Sequence, residues 1–153
     1  MDETKIATDE NELTLREMSE ALPDTPAVME KVGHCWWHLI YAARGGNWGL
    51  AGYYLRRVDK LTSALRVLRP KHSQRLWTFQ TQAMPAVVEA VEAEDLGALE
   101  AAYAEATETA NRLHEESGYP FIRWELPPEP PQGLQLTPVE TVEPLASADG
   151  HHD

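Results

Sequence analysis

The chain contains one cysteine, Cys35, and no apolar stretch long enough to cross a membrane. A single thiol excludes a framework of internal disulfides, and the longest apolar run, over 35–43, is far shorter than the roughly 20 residues of a membrane-spanning helix. The first residues, Met-Asp-Glu-Thr-Lys, lack the basic start and the apolar run of a secretory signal. We therefore expect a cytoplasmic, bacterial protein that does not enter the membrane.

Motifs that carry enzymatic chemistry are also missing. The chain has no glycine-rich phosphate loop, no nucleophile elbow and no paired carboxylates that stand apart from helix surfaces. Cys35 and a neighbouring histidine do not form a nucleophile and base, because adjacent helix positions diverge by about 100°. Cys35 also lies on a predicted core stripe, where a thiol is inert. We expect a protein that is not an enzyme unless a bound cofactor supplies the chemistry.

Positive charge is scarce overall but concentrated in one segment. The net charge of -12 argues against nucleic-acid binding, which relies on lysine and arginine to neutralise phosphates. Eight of the 13 basic residues lie between positions 44 and 75, where Asp59 is the only acid, so this segment has a net charge of +7. Two interpretations stay open. The basic segment binds an acidic protein or an anionic ligand, or it is a solvated helix face balanced by acidic neighbours.

Apolar residues recur every three or four positions along most of the chain, which is the spacing of helices with one buried face. This period predicts four helices, over 26–43, 48–69, 71–94 and 95–118. Gly45, Gly46 and Asn47 favour a tight turn between the first two helices. Pro85 removes a backbone donor from the middle of the third helix and should kink or split it.

The four helices lead us to predict an all-α fold, an antiparallel up-down-up-down four-helix bundle within residues 25–126. Residues 1–24 form an acidic leader with one short amphipathic helix, and residues 118–126 form an aromatic strap across one end of the bundle. Residues 127–153 contain six prolines and several acids but no helical period. We expect this tail to be disordered, because it cannot bury enough surface to offset the entropy lost on ordering.

The last predicted helix ends in Ala110-Asn-Arg-Leu-His114, which is followed by Gly118-Tyr-Pro-Phe-Ile122. A Cys-x-x-Cys-His box for covalent haem attachment would fit the first five positions, with its cysteines replaced by Ala110 and Leu113. Positions 106, 110 and 113 share the inward seam of the helix, and His114 flanks that seam. Ala106 and Ala110 leave little side-chain volume there, so a flat ligand or a neighbouring tryptophan must fill the space.

Together these features resemble the cytochrome c′-like four-helix-bundle family over residues 32–126. The likeness rests on four features in order: the aromatic helix 36–41, the turn 46–48, the helix stop at Arg69-Pro70, and the segment 111–122. In that family the histidine after the second cysteine binds the haem iron, which implies that His114 alone inherits this role. Ala110 and Leu113 cannot form thioethers. Their presence agrees with the missing signal, since the resemblance implies that covalent attachment takes place outside the cytoplasm.

Three functional hypotheses follow, and the resemblance makes a homodimer the expected state. In the first, the protein binds haem or another flat hydrophobic ligand noncovalently, in a pocket lined by His114, Ala110, Leu113, Ala106, Trp36, Tyr119 and Phe121. In the second, a cofactor-free bundle serves dimerisation or partner binding, with tryptophans filling the vacated pocket. In the third, His34 and His38, which share a helix face, bind Zn, Ni or Cu, although the chain offers no second set of ligands.

Overall fold

The computed structural model describes residues 4–7 and 12–140, and most of these residues are helical, as predicted. The helices are α1 (Leu15–Ala21), α2 (Thr25–Gly45), α3 (Trp48–Leu68), α4 (Ser73–Thr78), α5 (Met84–Glu92) and α6 (Leu96–Glu116). No helix in these two ranges is both long and apolar enough to span a membrane. A small antiparallel sheet precedes α1, with β1 (Lys5–Ala7) paired to β2 (Glu12–Thr14) so that Ile6 lies opposite Leu13. The sequence patterns did not predict this sheet.

Local capping explains where the long helices begin and end. The Asp24 side chain accepts a hydrogen bond from the Ala27 N–H at the start of α2, and Asn47 does the same for Leu50 N–H at the start of α3. Asp95 caps α6 through the Ala98 N–H. Gly46 ends α2 with φ of 89°, a conformation that glycine adopts without strain. The predicted tight turn between the first two long helices is therefore confirmed.

The helix predicted to break at Pro85 contains a π-helical turn just before that proline. A 3₁₀ turn, Pro70–His72, leads into α4, and the π-helical turn, Phe79–Ala83, joins α4 to α5. The Met84 N–H donates to the Phe79 carbonyl, five residues back, which is the π pattern. The turn changes the helical register one residue before Pro85, which has no N–H to donate. The predicted interruption is confirmed, and its form is a register shift within a continuous helical segment.

The core lies between the facing sides of α2, α3, α5 and α6. Helix α2 packs along α3, α5 packs along α6, and α2–α6 and α3–α5 contacts complete the set. Leu39, Ile40 and Leu99 are fully buried, and each contributes roughly 1.5–3 kcal/mol by leaving water. Trp36 stacks on Tyr103 with ring centroids 4.5 Å apart, and the Tyr103 hydroxyl donates to the Trp36 carbonyl. This aromatic pair ties α2 to α6.

Residues 127–140 pack against the helices, which differs from the disorder predicted for this half of the tail. The Asn47 side chain donates to the Gln135 carbonyl, and the Asn47 N–H also contacts the Leu136 carbonyl. The Tyr41 hydroxyl donates to the Pro127 carbonyl at 2.6 Å. Tyr41 and Asn47 thus provide donors for backbone carbonyls of residues 127–140. The prolines of this segment restrict its unfolded chain, so that the segment loses less conformational entropy when it becomes ordered. The other half of the predicted tail, 141–153, lies outside the described residues.

Candidate functional site

A cavity of about 670 Å³ opens beside His114. It lies between the first half of α2, the last turns of α3, α4 with the following π-helical turn, the end of α6, and the strap 118–126. The volume falls within the roughly 300–1,000 Å³ of small-molecule sites. Most of the wall is apolar, with contributions from Met29, Val32, Leu65, Leu76, Phe79, Ala110, Leu113, Ile122 and Trp124.

His114 is one of the polar residues in this mostly apolar wall. Its Nδ1 atom is buried and has no hydrogen-bond partner among the described residues. Burial lowers the pKa of His114. A hydrogen bond with the Ile122 backbone raises the pKa and so offsets part of this shift. The imidazole is therefore neutral near pH 7. A neutral imidazole keeps a lone pair on one ring nitrogen, and such a nitrogen is the commonest metal ligand in proteins.

Trp124 covers His114 and is held by a buried asparagine. The Asn111 side chain, only 2% exposed, donates from Nδ2 to the Trp124 carbonyl at 3.1 Å and accepts from the Trp124 N–H at 2.6 Å. This pair of bonds fixes the strap to α6, so that the Trp124 ring meets the His114 ring edge-on at a centroid distance of 5.8 Å. Asn111 is thus a positioning residue for the cavity wall.

Four basic side chains from one short segment line the same cavity. We call Arg69, Lys71, His72 and Arg75 the cationic rim. Arg69 donates to the Leu68 and Pro23 carbonyls, and Arg75 donates to the Glu116 carbonyl. Burial lowers the pKa of His72, and the neighbouring charges of Lys71 and Arg75 lower it further. The rim therefore places three cationic residues, Arg69, Lys71 and Arg75, among those that line the cavity.

The predicted pocket residues fall into two groups. Ala110, Leu113, His114 and Tyr119 all line the cavity. Three others do not. Ala106 is buried within the helix packing, Phe121 is 78% exposed, and Trp36 borders a second cavity of about 440 Å³. Trp36 lies there because its indole N–H donates to the Thr107 hydroxyl and its ring stacks on Tyr103.

Two parts of the wall were not identified as site residues from the sequence. Trp124 belongs to the predicted aromatic strap, but nothing in its spacing indicates that it packs on His114. The cationic rim lies within the basic segment 44–75 and begins at the Arg69-Pro70 helix stop. Arg69-Pro70 indicates the end of a helix, but it does not indicate that the basic residues after it lie near the end of α6. That placement depends on the tertiary fold.

His34 and His38 form a stacked pair on α2, away from the 670 Å³ cavity. Their ring centroids are 3.7 Å apart, and Nδ1 of His38 lies 2.7 Å from the His34 carbonyl oxygen. Burial lowers the pKa of His38. No group of three or more histidine, cysteine or carboxylate side chains suited to a metal ion occurs in residues 4–7 and 12–140. The metal hypothesis therefore has two neighbouring imidazoles and no further ligand there.

Comparison of the chain with family models, with curated proteins and with solved structures finds no match. The resemblance to cytochrome c′-like proteins accordingly stays a prediction from the sequence.

Proposed function

We propose that the protein binds a flat hydrophobic ligand noncovalently in the cavity beside His114, and that haem is the first ligand to test. The observation that carries this proposal is the mostly apolar cavity of about 670 Å³ that has His114, with its buried and unpartnered Nδ1, in its wall. A buried polar atom without a hydrogen bond costs about 1–3 kcal/mol. A ligand that shifts the His114 ring, or that gives its Nδ1 atom a partner, would offset this cost.

We also propose the finer architecture that the sequence indicates, an up-down-up-down bundle of the cytochrome c′-like kind. The helix contacts support it, because α2–α3, α3–α5, α5–α6 and α6–α2 form a closed set of neighbours. Short links at 46–47 and 93–95 are those expected between antiparallel helices. In such a bundle ligand sites lie between facing helices, which is where the cavity is.

The residues present fit a haem without covalent attachment. His114 would hold the iron through a ring nitrogen, and Ala110 and Leu113, at the positions that the proposed family fills with cysteines, would be small and apolar wall residues. Phe79 and Trp124 offer aromatic surface to a flat ring. When bound, haem supplies an iron centre for electron transfer or for small ligands. Cavity walls that exclude water would favour binding of its apolar body.

Titration of purified protein with haemin tests the proposal. We expect a saturable one-to-one shift of the Soret band, which His114→Ala should weaken by removing the axial nitrogen. His34→Ala is the matched control, because His34 is a histidine that does not line the cavity. Iron-free protoporphyrin separates the two contributions, since His114→Ala should affect its binding much less than that of haemin.

Two results would count against the proposal. A flat haemin titration would eliminate haem, and equal losses in His114→Ala and His34→Ala would eliminate axial ligation by His114. A flat response to haemin, protoporphyrin and other planar aromatic probes would favour the cofactor-free alternative, a bundle for dimerisation or partner binding. In that case sedimentation of the protein at several concentrations would measure the proposed homodimer directly.

A further inference from the structure

We infer that the natural ligand is an anionic amphiphile, whose apolar body lies in the cavity and whose negatively charged group binds the cationic rim. This inference rests on the proposed function, because it concerns the same cavity. It adds a charge requirement that a flat hydrophobic ligand alone does not have. The juxtaposition that carries it is three cationic residues, Arg69, Lys71 and Arg75, and a mostly apolar wall in one cavity.

The rim charges have no ion-pair partner among the carboxylates of residues 4–7 and 12–140. None of the four rim residues forms an ion pair within 4.0 Å with a described carboxylate. Elsewhere in the chain arginines do find such partners, as Arg44 does with Glu100 and Arg123 with Glu108. Positive charges gathered within one short segment repel one another, and an anion between them relieves that repulsion.

The protein holds the two rim arginines in place by their carbonyl contacts. Arg69 reaches the carbonyls of Leu68 and Pro23, and Arg75 reaches the carbonyl of Glu116. A guanidinium has five N–H donors, so each arginine keeps donors that these bonds do not use. Donors that are already positioned lose less side-chain entropy when an anion binds.

Two acids, Asp24 and Glu30, also line the cavity, and neither forms an ion pair within 4.0 Å with a rim residue. Asp24 directly follows Pro23, whose carbonyl accepts a hydrogen bond from Arg69, and Glu30 lies in the second turn of α2. One carboxylate oxygen of Asp24 accepts the Ala27 N–H as the helix cap. Glu30 is exposed and also borders the second cavity. The rim is thus left as the region of the cavity where an anion is favoured.

A porphyrin and a fatty acid both combine an apolar body with carboxylates, so either could bind the rim in the same way. Pairs of probes that match in shape but differ in charge test whether binding requires the negative charge. Haemin and its dimethyl ester have the same ring and differ in carboxylate charge. The fluorescent 8-anilinonaphthalene-1-sulfonate and the uncharged N-phenyl-1-naphthylamine make a second pair that lacks a metal. Competition of palmitate with the sulfonate probe then shows whether an aliphatic body is accepted as well as a flat one.

The test variant is the double substitution Arg69→Gln and Lys71→Gln. Its matched control is Arg56→Gln with Lys60→Gln, which removes the same two charge types from exposed positions of the basic segment that do not line the cavity. We expect the rim variant to weaken both anionic probes by roughly tenfold, about the worth of one charge-assisted hydrogen bond. Binding of the two probes that lack an anionic group should change less than about twofold, and the control variant should behave as wild type.

Each outcome bears on the inference separately from the proposed function. Anionic probes that bind more tightly than their neutral partners, with a loss only in the rim variant, support it. Equal binding of charged and neutral probes, or equal losses in the rim and control variants, overturns it and leaves hydrophobic ligand binding intact. No binding of any probe overturns both. Thermal unfolding of the two variants without ligand checks that both are folded.

Discussion

Replacing Asn111 with alanine should release the strap from α6. The change removes both hydrogen bonds between the Asn111 side chain and the Trp124 backbone, at 3.1 and 2.6 Å. At about 0.5–1.5 kcal/mol for each bond, the loss in unfolding free energy is roughly 1–3 kcal/mol. We place the expected value in the upper half of that range, because the site is buried and the amide would leave a small cavity behind.

Urea denaturation followed by far-UV circular dichroism measures the global effect. The control is Thr109→Ala on the same helix, whose side chain bonds only to the Glu105 carbonyl of that helix. It should change the unfolding free energy by less than about 0.5 kcal/mol. Amide hydrogen exchange at Trp124 gives a local measurement, since its N–H donates to Asn111. Exchange there should accelerate in Asn111→Ala while the middle of α6 stays protected.

The reasoning would be refuted by an Asn111→Ala protein as stable as the Thr109→Ala protein, with unchanged exchange at Trp124. That result would mean that packing of the Trp124 ring, rather than the asparagine, holds the strap. A loss of stability with unchanged exchange at Trp124 would also contradict it. In that case the amide would serve the helix packing and not the position of the cavity wall.

Two further predictions concern other parts of the fold. Gly45→Ala should lower stability by roughly 1–3 kcal/mol or detach residues 127–140, because a Cβ there would clash with the Leu136 carbonyl. The control in denaturation and limited-proteolysis experiments is Gly49→Ala, where an added Cβ would make only an ordinary contact with Asn47 Oδ1 at 3.8 Å. Acid should destabilise the protein as pH falls below about 6.5, because burial lowers the folded pKa of His38, His72 and His114 and the unfolded imidazoles take up protons first. His114→Gln should reduce the difference in unfolding free energy between pH 7.5 and pH 5.5, and an unchanged difference would contradict the assignment.

The sequence predicted the long helices well because their signals are local. The seam of α3 recurs at alternating steps of three and four, and Ala51, Leu55, Val58, Thr62 and Leu65 are all buried as that spacing requires. Asn47 caps the helix through its own side chain, so its role is visible within four residues of sequence. Patterns of this kind depend on neighbours along the chain, which the sequence gives directly.

The site was predicted only in part, because its remaining walls depend on contacts between distant segments. Ala110, Leu113 and His114 were found from one helix, whereas the placement of Trp124 depends on its bonds to Asn111. The cationic rim meets the end of α6 through the contact of Arg75 with the Glu116 carbonyl, across 41 positions of sequence. The periodicity of apolar residues within one helix does not indicate which distant segments contact that helix. The packing of 127–140 was missed for the same reason.

The π-helical turn Phe79–Ala83 has a consequence for how this chain tolerates insertions and deletions. Removing one residue from the turn would restore an ordinary α-helix, yet it would rotate α4 by about 100° relative to α5. Val87 and Val91 of α5 would keep their buried positions, while Leu76 would turn away from the cavity. A relative shorter by that one residue could thus keep the same helices and core and have a differently shaped cavity. In an alignment of such chains, a one-residue gap in this turn would therefore indicate a cavity of different shape.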